Sequence, residues 1–555
     1  MKISWFFTGF CLLVHGTAFG QNWPWVNALG TANSNTKVET LKKYNETELL
    51  VAGSFAAATL TLGNETLSNA GQDDAFVAIA NENGGYEWAT RIGGAGRDFT
   101  TAVAADNEGN IYVAGDFYSL TLDIGASTLF NAGESDGFVI KYNADRSIAW
   151  ARTIGTSEVE HITGLAVDGN GNVYVSGHTQ DNFTLSAIHT FFTKIDPENN
   201  QLWTRNGTIN GGFLETTTLA IDDEENFYLA GTFYGSVTFG GNNTLAADTS
   251  YAGFIAKYNA SGVYLQGIAS GQLHKITELA VDGDYLYACG DLVKYQFGWG
   301  WPLSSSAIHL VKYNPDLTPV WHKSAGGQTL GLSLDLAKSV STDDSGNIYV
   351  AGSFFSDSLW FAGLPLLNVF GINYYYPQVF VFKYSPAGEE LWGKSAGGGF
   401  WDEATAVLAT AGNRLYVGGV FESDELTFGN HTLTNTGMVD SIYVHQRPGR
   451  YGRKTIGFLG RFDGPLTNIR PEAPEFFAPV FPNPTNDCFF IPLKAQSGKL
   501  ATIRMLGADG CLVKQGRYEA VDQHIRVEAG DMAPGIYFIS IQIDGYVSVQ
   551  KLVKI

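Results

Sequence analysis

The chain has 555 residues, a formal net charge of −21 and four cysteines. That acidity excludes a nucleic-acid partner held by phosphate contacts, which Lys and Arg would have to supply, and it favours solubility. Four cysteines in so long a chain do not make a disulfide framework.

Met1-Lys2 is followed by an apolar run from Ile3 to Val14, then by Ala18-Phe19-Gly20 before Gln21. A positive start, a short apolar stretch and small residues at the cleavage site predict a secretory signal over residues 1–20, with the mature chain starting at Gln21. Thr8-Gly9-Phe10 before Cys11 is a poor lipobox. The apolar run is too short for a spanning helix, and no later segment reaches the roughly 18 apolar residues one needs, so no transmembrane segment is expected.

From residue 21 to 465 one pattern dominates. An alternating strand ending in a small residue and glycine recurs seven times, at Gly53, Gly115, Gly177, Gly231, Gly290, Gly352 and Gly419, spaced 54 to 67 residues apart. Each unit adds three strand-like pieces. A short apolar strand precedes the motif, and a turn such as Asp106-Asn107-Glu108-Gly109-Asn110 links the two. Asp, Asn and Gly tolerate the backbone that tight hairpins require. After the motif comes a strand such as Gly137-Phe138-Val139-Ile140-Lys141-Tyr142, then one opening on an aromatic: Trp88, Trp150, Trp203, Tyr264, Trp321 or Trp392. Four short antiparallel strands repeated seven times predict a seven-bladed β-propeller. The fold class is all-β.

The seventh unit ends at Phe462 without its aromatic strand, while Trp23-Pro24-Trp25-Val26-Asn27-Ala28 is a spare one. Trp25 stands 28 residues before Gly53, within the 26 to 31 residues that separate the other aromatics from their next glycine. Residues 22–30 are therefore expected to form the outer strand of the last blade and close the ring, leaving no open edge.

Seventeen residues before the motif glycine lie Asp98, Glu160, Asp335 and Asp402; Thr36, Leu214 and Leu273 take that place in the other units. A partial carboxylate ring at one mouth of the channel would suit a hard cation such as Ca²⁺. Alternatively, each carboxylate serves its own turn. No other cofactor is expected. The Asp-x-x-Gly-Asn turns lack the ligand set of a calcium loop and read as turns. No nucleophile elbow, zinc motif or phosphate loop is present.

The connections between second and third strands differ more. Units 1, 2, 4 and 7 carry a second small hairpin there. Unit 5 has Trp299 and Trp301, unit 6 has Tyr374, Tyr375 and Tyr376, and unit 7 has Arg450, Tyr451 and Arg453. Aromatic and Arg residues on loops of one face are favoured at binding hot spots. The alternative is that they only cover the blades. Cys289 reads as a buried thiol in a strand. Cys488 and Cys511 share the C-terminal domain, where export permits a bond but spacing does not decide it.

Residues 466–477, with Pro471 and Pro474, read as a linker. Residues 478–555 hold short alternating strands that suit a small Ig-like β-sandwich.

Two resemblances follow from these residues. Gly109 to Gly115, Asp136 to Tyr142, and Leu391-Trp392 with Gly397-Gly398 resemble the bacterial β-propeller repeats abbreviated SBBP. The last domain resembles the type A sorting domain of the type IX secretion system, through Phe481-Pro482-Asn483-Pro484, Gly510-Cys511-Leu512-Val513, Gly535-Ile536-Tyr537-Phe538 and the terminal Lys551-Leu552-Val553-Lys554-Ile555. That resemblance implies a Bacteroidota source, Sec export and passage through the type IX machinery by way of residues 478–555. The product would be released or held at the outer cell surface. The function expected is a non-catalytic glycan- or protein-binding propeller. The competing expectation is a hydrolase or lyase acting on polysaccharide at the channel mouth.

Overall fold

The computed structural model describes residues 23–31, 34–180, 188–240, 243–298, 301–326, 334–362, 364–368, 376–437, 439–440, 452–453, 455–463, 485, 487–492, 500–507, 512–519, 524–543 and 546–554. The motif strands, such as Ile111–Phe117 and Ile348–Phe354, are buried along their whole length. This explains their near-continuous apolar sequence, since both faces of each sheet are covered by neighbouring units.

The chain folds as a β-propeller followed by a small sandwich. Unit 1 pairs Lys37–Lys43, Glu48–Phe55, Asp74–Asn81 and Tyr86–Ile92 in that order, and unit 2 repeats the arrangement from Asp98 to Ile154. Units 5 and 6 are likewise four-stranded. Units 3 and 4 differ from expectation, because the strand Gln201–Ile221 is outermost in one and innermost in the other, giving one seven-stranded sheet. The cause is an extension of the following strand: Thr208 and Ile209 pair with Thr238 and Val237, so the ladder has no gap where a loop was expected.

The last unit takes its outer strand from the other end of the chain, as expected. Trp25–Leu29 runs antiparallel to Ile456–Asp463, with Trp25 opposite Arg461 and Ala28 opposite Phe458. Trp23, Val26 and Leu29 are buried, and Trp23 packs 4.7 Å from Phe428 and 5.2 Å from Phe462.

A β-bulge interrupts every inner strand at one equivalent residue: Glu39, Thr101, Thr163, Thr217, Thr277, Lys338 or Thr405. A bulge turns its side chain out of the ladder, and several of the threonines use this to reach the next unit. Thr217 donates to Ile276 O, Thr277 to Ala337 O and Thr405 to Val38 O, while Thr163 and Thr216 hydroxyls lie 3.0 Å apart.

At the opposite end of the strands, the Asp turns act as expected. Asp168 accepts from Asn170 N and Asn172 N and is met by the Tyr174 hydroxyl and Lys194; Asp343 repeats the arrangement with Ser345, Asn347, Tyr349 and Lys383. Outer-strand tryptophans dock on the next unit's turn: Trp25 Nε1 donates to Glu82 O and Trp150 Nε1 to Pro197 O. Gly84 lies under the Trp25 ring, where a Cβ would come within 2.8 Å of it.

The small hairpins fold outward. Leu60, Leu62 and Leu67 bury themselves beside Tyr86 of their own outer strand, and Leu122, Ile124 and Leu129 do the same in unit 2. Unit 6 carries such a hairpin too, Ser358–Phe361 with Leu364–Leu367. These connections cover blade edges and do not build the ring face.

In the C-terminal domain, six strands form two sheets among the described residues, one of two strands and one of four. Phe489, Ile491, Ile503, Met505, Ile525, Val527, Ile539, Ile541 and Leu552 share one core between them. Among the described residues, no helix is long and apolar enough to cross a membrane.

Candidate functional site at the channel mouth

The inner strands all begin at one end of the ring, so residues at their starts and at the ends of the motif strands meet around one mouth. The expected acids lie there but are turned inward. Asp98, Asp335 and Asp402 are fully buried, and Glu160 nearly so. Asp98 accepts from Gly94 N (2.7 Å), Ser119 N (3.2 Å) and Ser119 Oγ (2.7 Å). Asp335 accepts from Phe355 N, Ser356 N and Ser356 Oγ, and Asp402 from Gly398 N, Ser423 N and Ser423 Oγ. Glu160 accepts from Thr156 N and Thr156 Oγ1. Each acid thus clamps its own turn to the following strand. Among the described residues, no group of three or more His, Cys, Asp or Glu is close enough to hold a metal ion. The ladder register puts His274, not Leu273, at the equivalent place in unit 5, because Ile276 pairs with Gly290 there.

Burial shapes the electrostatics. It pushes the Asp402 carboxyl up to about 7. Glu422 is pushed up to about 8, first by burial and then by repulsion from Asp402, with Lys37 opposing. Asp136 is raised to about 6 by burial, with the Glu160 carboxyl beside it adding to the shift. Such groups favour the neutral form because water no longer solvates the charge.

Of the aromatic and Arg residues singled out on the loops, Trp299, Tyr374, Tyr375, Arg450 and Tyr451 lie outside the described residues. Trp301 pairs with Gly298 at the tip of a long hairpin, and Arg453 pairs with Val439. Tyr376 is at the mouth, its ring 5.4 Å from Phe400. Close by, Phe355 meets Trp401 edge-on at 5.3 Å, and Trp401 Nε1 donates to Glu403, itself paired with Lys338 at 2.8 Å. This half-buried aromatic rim straddles units 6 and 7.

Units 2 to 4 carry further mouth residues that the sequence pattern did not single out. Asp116 accepts from His161 (2.9 Å) and from Ile162 N (2.7 Å), joining units 2 and 3. The bond to Asp116 raises the His161 imidazole above its usual value. Burial, with His161 and Lys275 nearby, lowers His178 to about 4. Lys275 pairs with Glu215 at 3.5 Å. Tyr118 stands beside Phe99, and Tyr234 and Tyr251 stack with Phe213. A signal for part of this was available: the third residue after the motif glycine is Tyr118, Tyr234, Phe355 or Glu422 in four units.

The channel below the mouth is crossed. Lys42 of unit 1 reaches Glu278 of unit 5 at 3.3 Å, and Glu278 also accepts from Val340 N of unit 6. Cys289 is buried, its thiol pushed up to about 12 by burial, which makes it inert as a nucleophile. Cys511 lies outside the described residues, so its relation to Cys488 does too.

Comparison with known proteins agrees with this architecture. A family model described as a β-propeller repeat matches residues 87–116 and 149–184, and one described as a secretion system C-terminal sorting domain matches 479–555. The chain is 25% identical over 271 residues to an uncharacterized WD repeat-containing protein of Acanthamoeba polyphaga mimivirus. The match covers 40% of this chain and 19% of that one. Among solved structures, Drosophila Semaphorin 2a aligns with a TM-score of 0.38 at 9% identity, covering 96% of this chain and 99% of that one. The polysaccharide lyase Uly1 aligns at 0.30 and 10%, covering 57% and 73%. Neither likeness bears on function. The chain carries SBBP-type propeller repeats and a type IX sorting domain, and is a secreted or cell-surface protein.

Proposed function

We propose that this secreted propeller is a non-catalytic glycan-binding module that takes its ligand on the open mouth face. The observation that carries this reading is the rim of Phe355, Tyr376, Phe400 and Trp401, set beside the Glu403–Lys338 pair. Aromatic faces next to paired donors and acceptors match a sugar, which offers C–H faces and hydroxyls that both donate and accept. The bond to Glu403 holds the Trp401 indole in place, so less ordering is needed on binding. The Lys42–Glu278 crosspiece favours a ligand lying on the face over one threading the channel.

A protein ligand is the other expected class, and a glycan array distinguishes the two. The mature chain should bind at least one glycan, and Trp401→Ala should weaken binding about tenfold or more. The Trp299→Ala/Trp301→Ala double variant asks the same of the unit 5 loop. Loss of no affinity in either variant would remove these rings from the site.

A hydrolase or lyase is the competing reading. It rests on Asp402 and Glu422, neighbouring carboxyls both raised into the range of a general acid. Their burial and the hydrogen bonds to Asp402 argue against it. Release of reducing ends or unsaturated products by the wild type, abolished in Glu422→Gln, would overturn the binding-only reading.

A further inference from the structure

The mouth over units 2 to 4 holds a second set of rings, away from the rim between units 6 and 7. Tyr118, Tyr234 and Tyr251 are 40%, 41% and 45% exposed, unusual values for tyrosines in a molecule whose other tyrosines mostly fill the core. They are not loose. Tyr118 packs edge-on against Phe99 at 6.4 Å, and Tyr118 N bonds Arg97 O. Tyr251 stands 5.7 Å from Phe213 and 5.8 Å from Tyr234. Each group is thus a supported platform with ring surface left to solvent.

Strand geometry ties both platforms to one polar floor. Residues two apart on a strand share a face. Tyr118 therefore lies over the side of its strand that carries Asp116, the partner of His161. Phe213 lies on the side that carries Glu215, the partner of Lys275. His161 and Glu215 feel one another's charge, as do His178 and Lys275. The floor runs from Asp116 through His161 and His178 to Glu215 and Lys275 without a break in polar groups, and a tyrosine platform stands at each end.

We infer that this floor and its two platforms form a groove for an extended, uncharged polysaccharide segment. The tyrosines would stack on sugar rings at either end, and the floor would meet the hydroxyls between. Ring stacking needs C–H faces, which pyranose rings provide and which two separated platforms would read several residues apart. The floor offers acceptors and donors side by side, as a hydroxyl requires. Its carboxylates, with a net charge of −21 on the whole chain, disfavour uronate or sulfated polymers. The inference rests on the glycan-binding reading above and adds a place and a ligand class to it.

The test uses the full mature chain in affinity electrophoresis and calorimetry. The probes are three neutral polysaccharides (mixed-linkage β-glucan, xyloglucan and α-mannan) and alginate as the anionic comparison. The expected result is binding to at least one neutral probe and none to alginate. Tyr234→Ala/Tyr251→Ala should weaken binding about tenfold or more, and Tyr118→Ala should weaken it measurably. Tyr234→Phe/Tyr251→Phe keeps the rings and should bind within about twofold of wild type, with melting temperatures checking that each variant folds. Unchanged affinity in the double alanine variant, with loss in Trp401→Ala, would overturn this groove and leave the rim between units 6 and 7 as the site. A preference for alginate would overturn the ligand class. Failure of every glycan to bind would overturn both readings together.

Discussion

The hydroxyl of Thr405 donates to the carbonyl oxygen of Val38, 367 residues earlier in the chain. The bond repeats at the last junction what Thr217 and Thr277 do within the series, where they bond Ile276 and Ala337. Closure therefore uses the same contact as every ordinary step between those units.

Thr405→Val keeps the shape and removes the donor, leaving the Val38 carbonyl without this partner. The expected cost is about 1–2 kcal/mol, read as an earlier urea midpoint. Thr101→Val, whose hydroxyl bonds only Ala114 O within its own unit, should cost less. Equal losses at the two sites would show that the bond between units has no special weight.

Deletion of residues 21–30, or Trp23→Ala alone, should lower the melting temperature clearly. Trp23 is buried against Phe428 and Phe462, and truncating a buried Trp costs roughly 3–5 kcal/mol. An unchanged melt would mean that Trp25–Leu29 does not hold the last unit in solution.

Glu422 carries a pH signature. Its carboxyl is raised from 4.5 to about 8 by burial and by Asp402, so the fold holds the proton more tightly than the unfolded chain does. Stability should fall as pH rises from about 4.5 to about 8, where the buried charge is fully formed. Glu422→Gln removes that penalty. The variant should melt near wild type at pH 5 and above it at pH 8.5. A difference that does not change with pH would reject the assignment to Glu422.

Chelation should leave stability unchanged. Asp98, Asp335 and Asp402 already receive backbone and Ser hydrogen bonds that satisfy a buried carboxyl. Differential scanning calorimetry with and without EDTA checks this, and a fall of several degrees on chelation would restore the cation reading for Asp98, Glu160, Asp335 and Asp402.

The repeat was legible because the motif strand is buried on both faces and cannot vary much: Tyr112, Tyr174, Tyr228, Tyr287, Tyr349 and Tyr416 all sit two to three residues before the glycine and inside the core. The closing strand was legible through spacing alone, since Trp25 must keep the same distance to Gly53 as Trp88 keeps to Gly115. The joining of units 3 and 4 was not, because Thr208 to Gly212 reads as a connection until Gly235–Thr238 is seen to pair with it. The threonine bonds were hidden by the bulge, whose geometry appears only in the ladder. Site reading failed differently. Tyr374 and Trp299 drew attention as runs of aromatics, whereas Tyr118 and Tyr234 are single residues whose partners, Phe99 and Tyr251, come from other parts of the sequence.

Pairing of Trp25–Leu29 with Ile456–Asp463 also dictates an order of events for a chain that emerges gradually. The first strand must wait, unpaired and aromatic, until almost the whole of the repeat region has arrived, because its only ladder partner is made last. Contacts so remote in sequence close slowly. Early compaction therefore has to come from the inner units, and the waiting segment is where a premature halt in synthesis or transport would leave a sticky end.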